Sequence, residues 1–117
     1  MPSIREVVQT LREREGVQGV VLLGSDGLTI DASLSEEIDP DGLSAIVPSI
    51  IISCNQLGGT SGHGEFGRSV IEYGGGKVIV VEVNPDAVLA VLVGPDTNVG
   101  SLLYELQQHQ PAIAELL

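Results

Sequence analysis

Residues 19–32 read GVVLLGSDGLTIDA. Val20 to Leu23 are four consecutive apolar residues, as in a buried strand, and Leu28 to Ala32 form a second strand-like run. Gly24-Ser25-Asp26-Gly27 joins them. Asp-Gly between two such runs signals a hairpin, because glycine accepts the positive φ that a tight turn requires. The competing reading is a phosphate loop. A Walker loop needs G-x-x-x-x-G-K-[ST], and no lysine follows Gly27. A dinucleotide loop needs G-x-G-x-x-G opening a helix, and here a strand follows. The segment therefore predicts a β-hairpin and no nucleotide site.

Upstream, Ile4, Val7, Val8 and Leu11 fall at i, i+3, i+4 and i+7, the stripe of a one-faced helix over Ser3 to Glu15. Ser3 with Glu6 matches a capping box, and Gly16 is placed to stop the helix. Downstream, Asp39-Pro40 reads as N-cap followed by proline at the first helical position. The helix it opens carries Leu43, Ile46, Val47, Ile50, Ile51, Cys54 and Leu57 on one stripe, with Ala45 and Ile52 off it. That second apolar face suits a helix buried on two sides. Pro48 inside it predicts a bend.

GGTSGHG at 58–64 reads as a flexible connection. Phe66 to Tyr73 is a moderately apolar strand containing Arg68, Ser69 and Glu72, the composition of a sheet edge. Lys77 to Val83 and Ala87 to Val93 are apolar on both faces, as in central strands covered on both sides. Asp96 to Asn98 can cap a last helix with the stripe Val99, Leu102, Leu103 and Leu106, which Pro111 is expected to interrupt. The predicted order is αββαβββα in one domain.

Composition narrows the function. The chain has 117 residues, 43% of them apolar, enough for one self-sufficient core. Sixteen acids against five basic residues give a formal charge of -11, which repels nucleic acid and anionic lipid. No stretch of 18 uncharged apolar residues offers a membrane span. The start MPSIREVV lacks a basic leader before a long apolar run, so no secretory signal is expected. A single cysteine, Cys54, fits a reducing compartment and hence the cytoplasm.

Catalytic, cofactor and metal sites are all expected to be absent. Cys54 and His63 supply at most two of the ligands zinc needs, and Cys54 lies on the apolar helix stripe, where it acts as a small hydrophobe. No Ser-His-Asp or Cys-His context surrounds His63 or His109. Most aspartates sit at turns or caps; Glu82 reads as the solvent end of a strand. An exposed edge strand and a helix that is apolar beyond one stripe both invite a second copy of the chain.

Taken together, GVVLLGSDGLTIDA at 19–32, VIEYGGGKVIVVEV at 70–83 and AVLAVLVGPDTNVG at 87–100 make the sequence similar to the roadblock/LC7 family, and within it to small bacterial members of the MglB type. The resemblance runs from about Ile4 to Leu106. It implies an α+β, profilin-like three-layer sandwich, a five-stranded antiparallel sheet with one helix on one face and two on the other. It also implies a homodimer in which strand Phe66–Tyr73 pairs with its twin and helix Pro40–Leu57 packs on its twin. The contact residues would be Val47, Ile50, Ile51 and Cys54 on the helix and Arg68, Val70 and Ile71 on the strand. Family members bind small Ras-like GTPases or scaffold other complexes, so the resemblance implies a non-enzymatic regulator or scaffold. Its partner surface would be Ser44, Ser49, Ser53, Asn55 and Gln56 with Arg68 nearby. A dimeric adaptor for another complex and a small-ligand sensor remain as alternatives.

Overall fold

The computed structural model describes residues 2–117. Along the chain come α1 (Ile4–Arg12), β1 (Val17–Gly24), β2 (Thr29–Leu34), α2 (Pro40–Ser61), β3 (Arg68–Tyr73), β4 (Gly76–Asn84), β5 (Ala87–Val93) and α3 (Val99–Leu116). All strand pairings are antiparallel and the sheet order is β2-β1-β5-β4-β3. The two apolar strands β4 and β5 lie inside the sheet with β1, as their two-sided hydrophobicity demands.

The β1–β2 turn forms as expected. Gly27 has φ 85°, Gly24 N–H donates to Leu28 O at 2.8 Å, and the Asp26 carboxylate accepts from Leu28 N–H at 3.0 Å. The register slips between Leu22 and Leu23, so β2 carries a bulge at Ile30.

Alternation along the strands sorts the core into two layers. On one face, Val20, Leu22, Ile79, Val81, Leu89 and Val91 pack under α1 and α3, with Leu11, Leu102, Leu106 and Ile113 contributed by the helices. On the other, Val21, Leu23, Val80, Val88 and Ala90 meet only Val47 and Ile51 of α2 among fully buried residues. The layers are unequal: sixteen buried residues on the two-helix side, seven on the α2 side. The α2 layer is therefore the unfinished one.

Three helix expectations need correction. α1 ends at Arg12 rather than Glu15, because the chain turns early to enter β1: Val17 N–H bonds Arg14 O at 3.1 Å and the Arg12 guanidinium bonds Val17 O at 2.7 Å. The Ser3 cap forms, its hydroxyl accepting from Glu6 N–H at 3.2 Å. α2 runs on through Gly58-Gly59-Thr60-Ser61, where a loop was expected. Its end is closed by Gly62 at φ 74°, with Gly62 N–H on Gly59 O and His63 N–H on Gly58 O, a Schellman closure that satisfies the last carbonyls. α3 continues through Pro111, which lies on its exposed side.

The seven-residue stripe read for α2 also needs correction. Val47 and Ile51 are buried, Leu43, Ile50 and Cys54 are half-buried, and Ile46 and Leu57 are 60% and 68% exposed. By length and composition alone α2 would also pass as a membrane span, with a mean hydropathy of 1.2, although Ser44, Ser49, Ser53, Asn55 and Gln56 interrupt its apolar run. It is docked on the sheet through Val47 and Ile51, and three of its exposed or half-buried large apolar residues, Ile46, Ile50 and Leu57, share one stripe.

Candidate protein–protein interface

The sheet has two edges, and they differ. β2 is guarded. It is bulged, and Arg5 of α1 reaches over it to pair with Asp31 at 2.9 Å and to donate to Ala32 O at 3.2 Å. Bulges and covering groups block strand addition. β3 has neither protection. Its ladder with β4 runs without a slip from Arg68 opposite Val81 to Tyr73 opposite Gly76. Just before the strand, Glu82 N–H bonds Gly67 O at 3.0 Å. In an antiparallel pair the residues facing one neighbour alternate. Gly67, Ser69, Ile71 and Tyr73 thus turn their backbone groups to β4, and Arg68, Val70 and Glu72 turn theirs outward.

Next to this open edge lies the unfinished α2 layer. Ile46, Ile50, Ser53 and Leu57 recur at spacings of four, three and four, which places them within an arc of about 60° on one flank of α2. Ile71 of β3, Val78 of β4 and Leu92 of β5 are cross-strand neighbours on the α2 side of the sheet, all half-buried. An exposed apolar stripe beside an incompletely covered apolar row marks an interaction surface.

The residues singled out from sequence distribute as follows. Val47 and Ile51 are inside the protomer core; Ile50 lies on the exposed stripe and Cys54 flanks it; Val70 and Ile71 are half-buried on opposite faces of β3. Arg68 is exposed. Each of the other four cations has an internal partner: Arg5 on Asp31, Arg12 on Val17 O, Arg14 on Glu105, Lys77 on Pro95 O. Among the described residues Arg68 has none. Ser49, Ser53 and Gln56 are exposed, whereas Ser44 and Asn55 already have partners within the protomer. The Ser44 hydroxyl donates to Pro40 O at 2.9 Å and lies 3.3 Å from Thr29 Oγ1.

Asn55 is a brace that the sequence did not reveal. Its amide nitrogen donates to Glu82 Oε2 at 3.2 Å and its oxygen accepts from Phe66 N–H at 3.1 Å. It ties α2, the end of β4 and the segment that leads into β3. Glu82 is thus held rather than free at a strand end. Asn55→Ala removes both bonds and is expected to cost about 1–2 kcal/mol, read as a lower urea midpoint by circular dichroism. An unchanged midpoint would show that the brace is idle.

Among the described residues no three His, Cys, Asp or Glu side chains gather as a metal site. Ser61 Oγ lies 2.7 Å from His63 Nδ1 on the surface, and the hydroxyl donates to Gly58 O, its role being to close the helix end. A cleft of about 720 Å³ opens between the α1–β1 turn and the β5–α3 turn, lined by Glu13, Glu15, Asp96 and the paired Arg14.

A Roadblock/LC7 domain family model matches residues 3–93, and the chain belongs to that family. The match spans α1 to the last residue of β5, so the Gly94 to Gly100 stretch noted in the sequence lies beyond it. The chain is 27% identical over 97 residues to uncharacterized protein MJ0310 of Methanocaldococcus jannaschii, covering 83% of this chain and 84% of that one. In structure it is similar to a Roadblock/LC7 domain from Streptomyces avermitilis, at 20% identity, a TM-score of 0.87 and 97% coverage of both chains. It is also similar to Myxococcus xanthus MglB, at 18% identity and a TM-score of 0.84, covering 92% of this chain and 88% of that one. A chain of the LokiProfilin2/rabbit actin complex aligns over the full length of both chains at 18% identity and a TM-score of 0.66, in keeping with a profilin-like sandwich.

Proposed function

We propose that the chain is a non-enzymatic, cytoplasmic homodimer that regulates or scaffolds a small Ras-like GTPase. The observation that carries the dimer is the conjunction of an unguarded edge strand with an exposed apolar stripe on the one helix of the thin layer. The two features lie on adjoining elements and one partner can cover both. The GTPase half of the reading follows from membership of the Roadblock/LC7 family and resemblance to the MglB type. A regulator needs no site of its own: it can act by ordering the partner's catalytic groups. Ser49 and Gln56 on the outer side of α2 are the polar residues offered to such a partner; Arg68 lies on the opposite face of the sheet and Ser53 within the self-association stripe, so neither belongs to that surface.

Sedimentation at micromolar concentration is expected to give twice the protomer mass of 12.2 kDa. A small GTPase is expected among the proteins captured from the native cell extract. Single-turnover hydrolysis by that GTPase then separates an activator, which raises the rate, from a scaffold, which leaves it unchanged. Calorimetry with GTP or ATP and the isolated chain is expected to show no binding. A 12.2 kDa species would remove the dimer, and capture without any GTPase would leave only an adaptor.

A further inference from the structure

We infer that two copies of β3 pair in one register, with Val70 opposite Val70 of the partner subunit, so that Arg68 and the partner's Glu72 form two symmetric ion pairs. The inference rests on the dimer proposed above and adds the geometry that selects one alignment.

A two-fold axis normal to the sheet keeps both copies' faces on the same sides, so each residue must oppose one from its own face. Arg68, Val70 and Glu72 lie on the α1/α3 face, since Val70 is opposite Ile79; Ser69, Ile71 and Tyr73 lie on the α2 face with Val80 and Val78. The axis must therefore pass through a residue. Within the strand's centre that residue is Ser69, Val70 or Ile71.

Three independent features choose Val70. The first is the backbone. The outward donors and acceptors belong to Arg68, Val70 and Glu72. With the axis at Val70 these pair only among themselves, and all of the strand's outward groups are bonded. An axis at Ser69 would oppose Glu72 to the partner's Phe66, and one at Ile71 would oppose Arg68 to the partner's Gly74, each beyond the strand. Leaving backbone groups of a buried edge unpaired is costly.

The second is charge. Arg68 and Glu72 are both exposed, and among the described residues neither has an ion-pair partner. Lys77 stands opposite Glu72 in the ladder, yet its ammonium is spent on Pro95 O at 2.9 Å. Pairing at Val70 brings Arg68 directly across from Glu72 of the partner subunit, twice. Opposite charges directly across a strand pair are favourable and like charges are not.

The third is size. Tyr73 is 61% exposed at the end of the strand. In this register it stands opposite Gly67 of the partner subunit, a position where an added Cβ meets nothing within 4 Å. The ring thus has room to lie over bare backbone and extend the apolar surface of the α2 face.

The test reads register and dimerisation separately. In a Cys54→Ala background, Ser69→Cys, Val70→Cys and Ile71→Cys are oxidised, and sedimentation under reducing conditions records whether each is dimeric. Opposed residues of a hydrogen-bonded pair lie about 5.5 Å apart in Cα, within disulfide reach, whereas Ser69 and Ile71 would sit about 8 Å from their own copies. Val70→Cys is expected to cross-link fastest. Dimers in which Ser69→Cys or Ile71→Cys cross-links faster would overturn the register while leaving the dimer standing, and monomers throughout would remove the dimer itself. Charge reversal supplies the second arm. Arg68→Glu or Glu72→Arg alone is expected to raise the dimer dissociation constant about tenfold at low salt, and the double reversal to restore it to within about threefold, with both effects shrinking as salt rises. A double variant no tighter than either single one would overturn the ion pair.

Discussion

Leu57→Asp is expected to give a folded protomer that no longer self-associates, whereas Ile51→Asp, six residues earlier on the same helix, is expected to give no folded protomer. The two side chains are both apolar and lie on the stripe read from the sequence, but they face different things. Ile51 is 8% exposed and packs in the layer formed by Val21, Leu23, Val80, Val88 and Ala90. A carboxylate there has no partner, and burying it costs several kcal/mol out of a total stability of about 5–15 kcal/mol. Leu57 is 68% exposed in the protomer, so a charge there changes its stability by about 0.5 kcal/mol or less. In the dimer the same charge enters the helix contact, and symmetry places it there twice. Each 1.4 kcal/mol is a factor of about ten in the dissociation constant, so a loss of at least about a hundredfold is expected. Far-UV circular dichroism reports folding and sedimentation reports association. Leu57→Asp that stays dimeric would take the α2 stripe out of the interface, and Ile51→Asp that folds would contradict the burial of its site.

That contrast marks where the sequence stops being legible. Period 3.6 in α2 told which residues share a face, and Val47 and Ile51 are indeed buried. Periodicity carries no information on whether the apolar surface opposite belongs to the same chain. Ile46 and Leu57 fit the stripe as well as Ile51 does and remain exposed. The helix end was missed for another reason. Gly58 and Gly59 are poor helix formers, and local propensity argues for a loop there; the closure at Gly62 and the docking of the helix outweigh it. The hairpin at Gly24 to Gly27 and the strand β5 were readable because their signals are local: a turn that needs glycine, and an apolar run with sharp ends. Asn55 was not readable as a brace, because its partners Glu82 and Phe66 are 27 and 11 residues away and only the fold brings them together.

Leu11→Ala tests the opposite layer and is expected to be the most damaging single truncation of α1. This helix has nine residues and would be marginal alone. It is held by Val7, Val8 and Leu11, of which Leu11 is fully buried among the side chains shared by the sheet and α3. Removing its branched end deletes transfer energy and leaves a cavity in the dense sixteen-residue layer, at a cost of about 2–5 kcal/mol. For a domain of this size that corresponds to a melting point lower by roughly 10–20 °C. α1 packs on β1 and β2, at the end of the sheet away from β3, so the dissociation constant of folded dimers should stay within about twofold, as expected for well-separated sites. Unfolding of a dimer depends on protein concentration, so both forms must be melted at the same one. A Leu11→Ala protein that loses stability but keeps its association constant would show that the α1 end of the sheet holds the protomer together while the β3 edge and the α2 stripe hold the pair. Weakened association at full folding would instead show that α1 positions β3 or α2 through the sheet, and the two layers could not then be treated as separate.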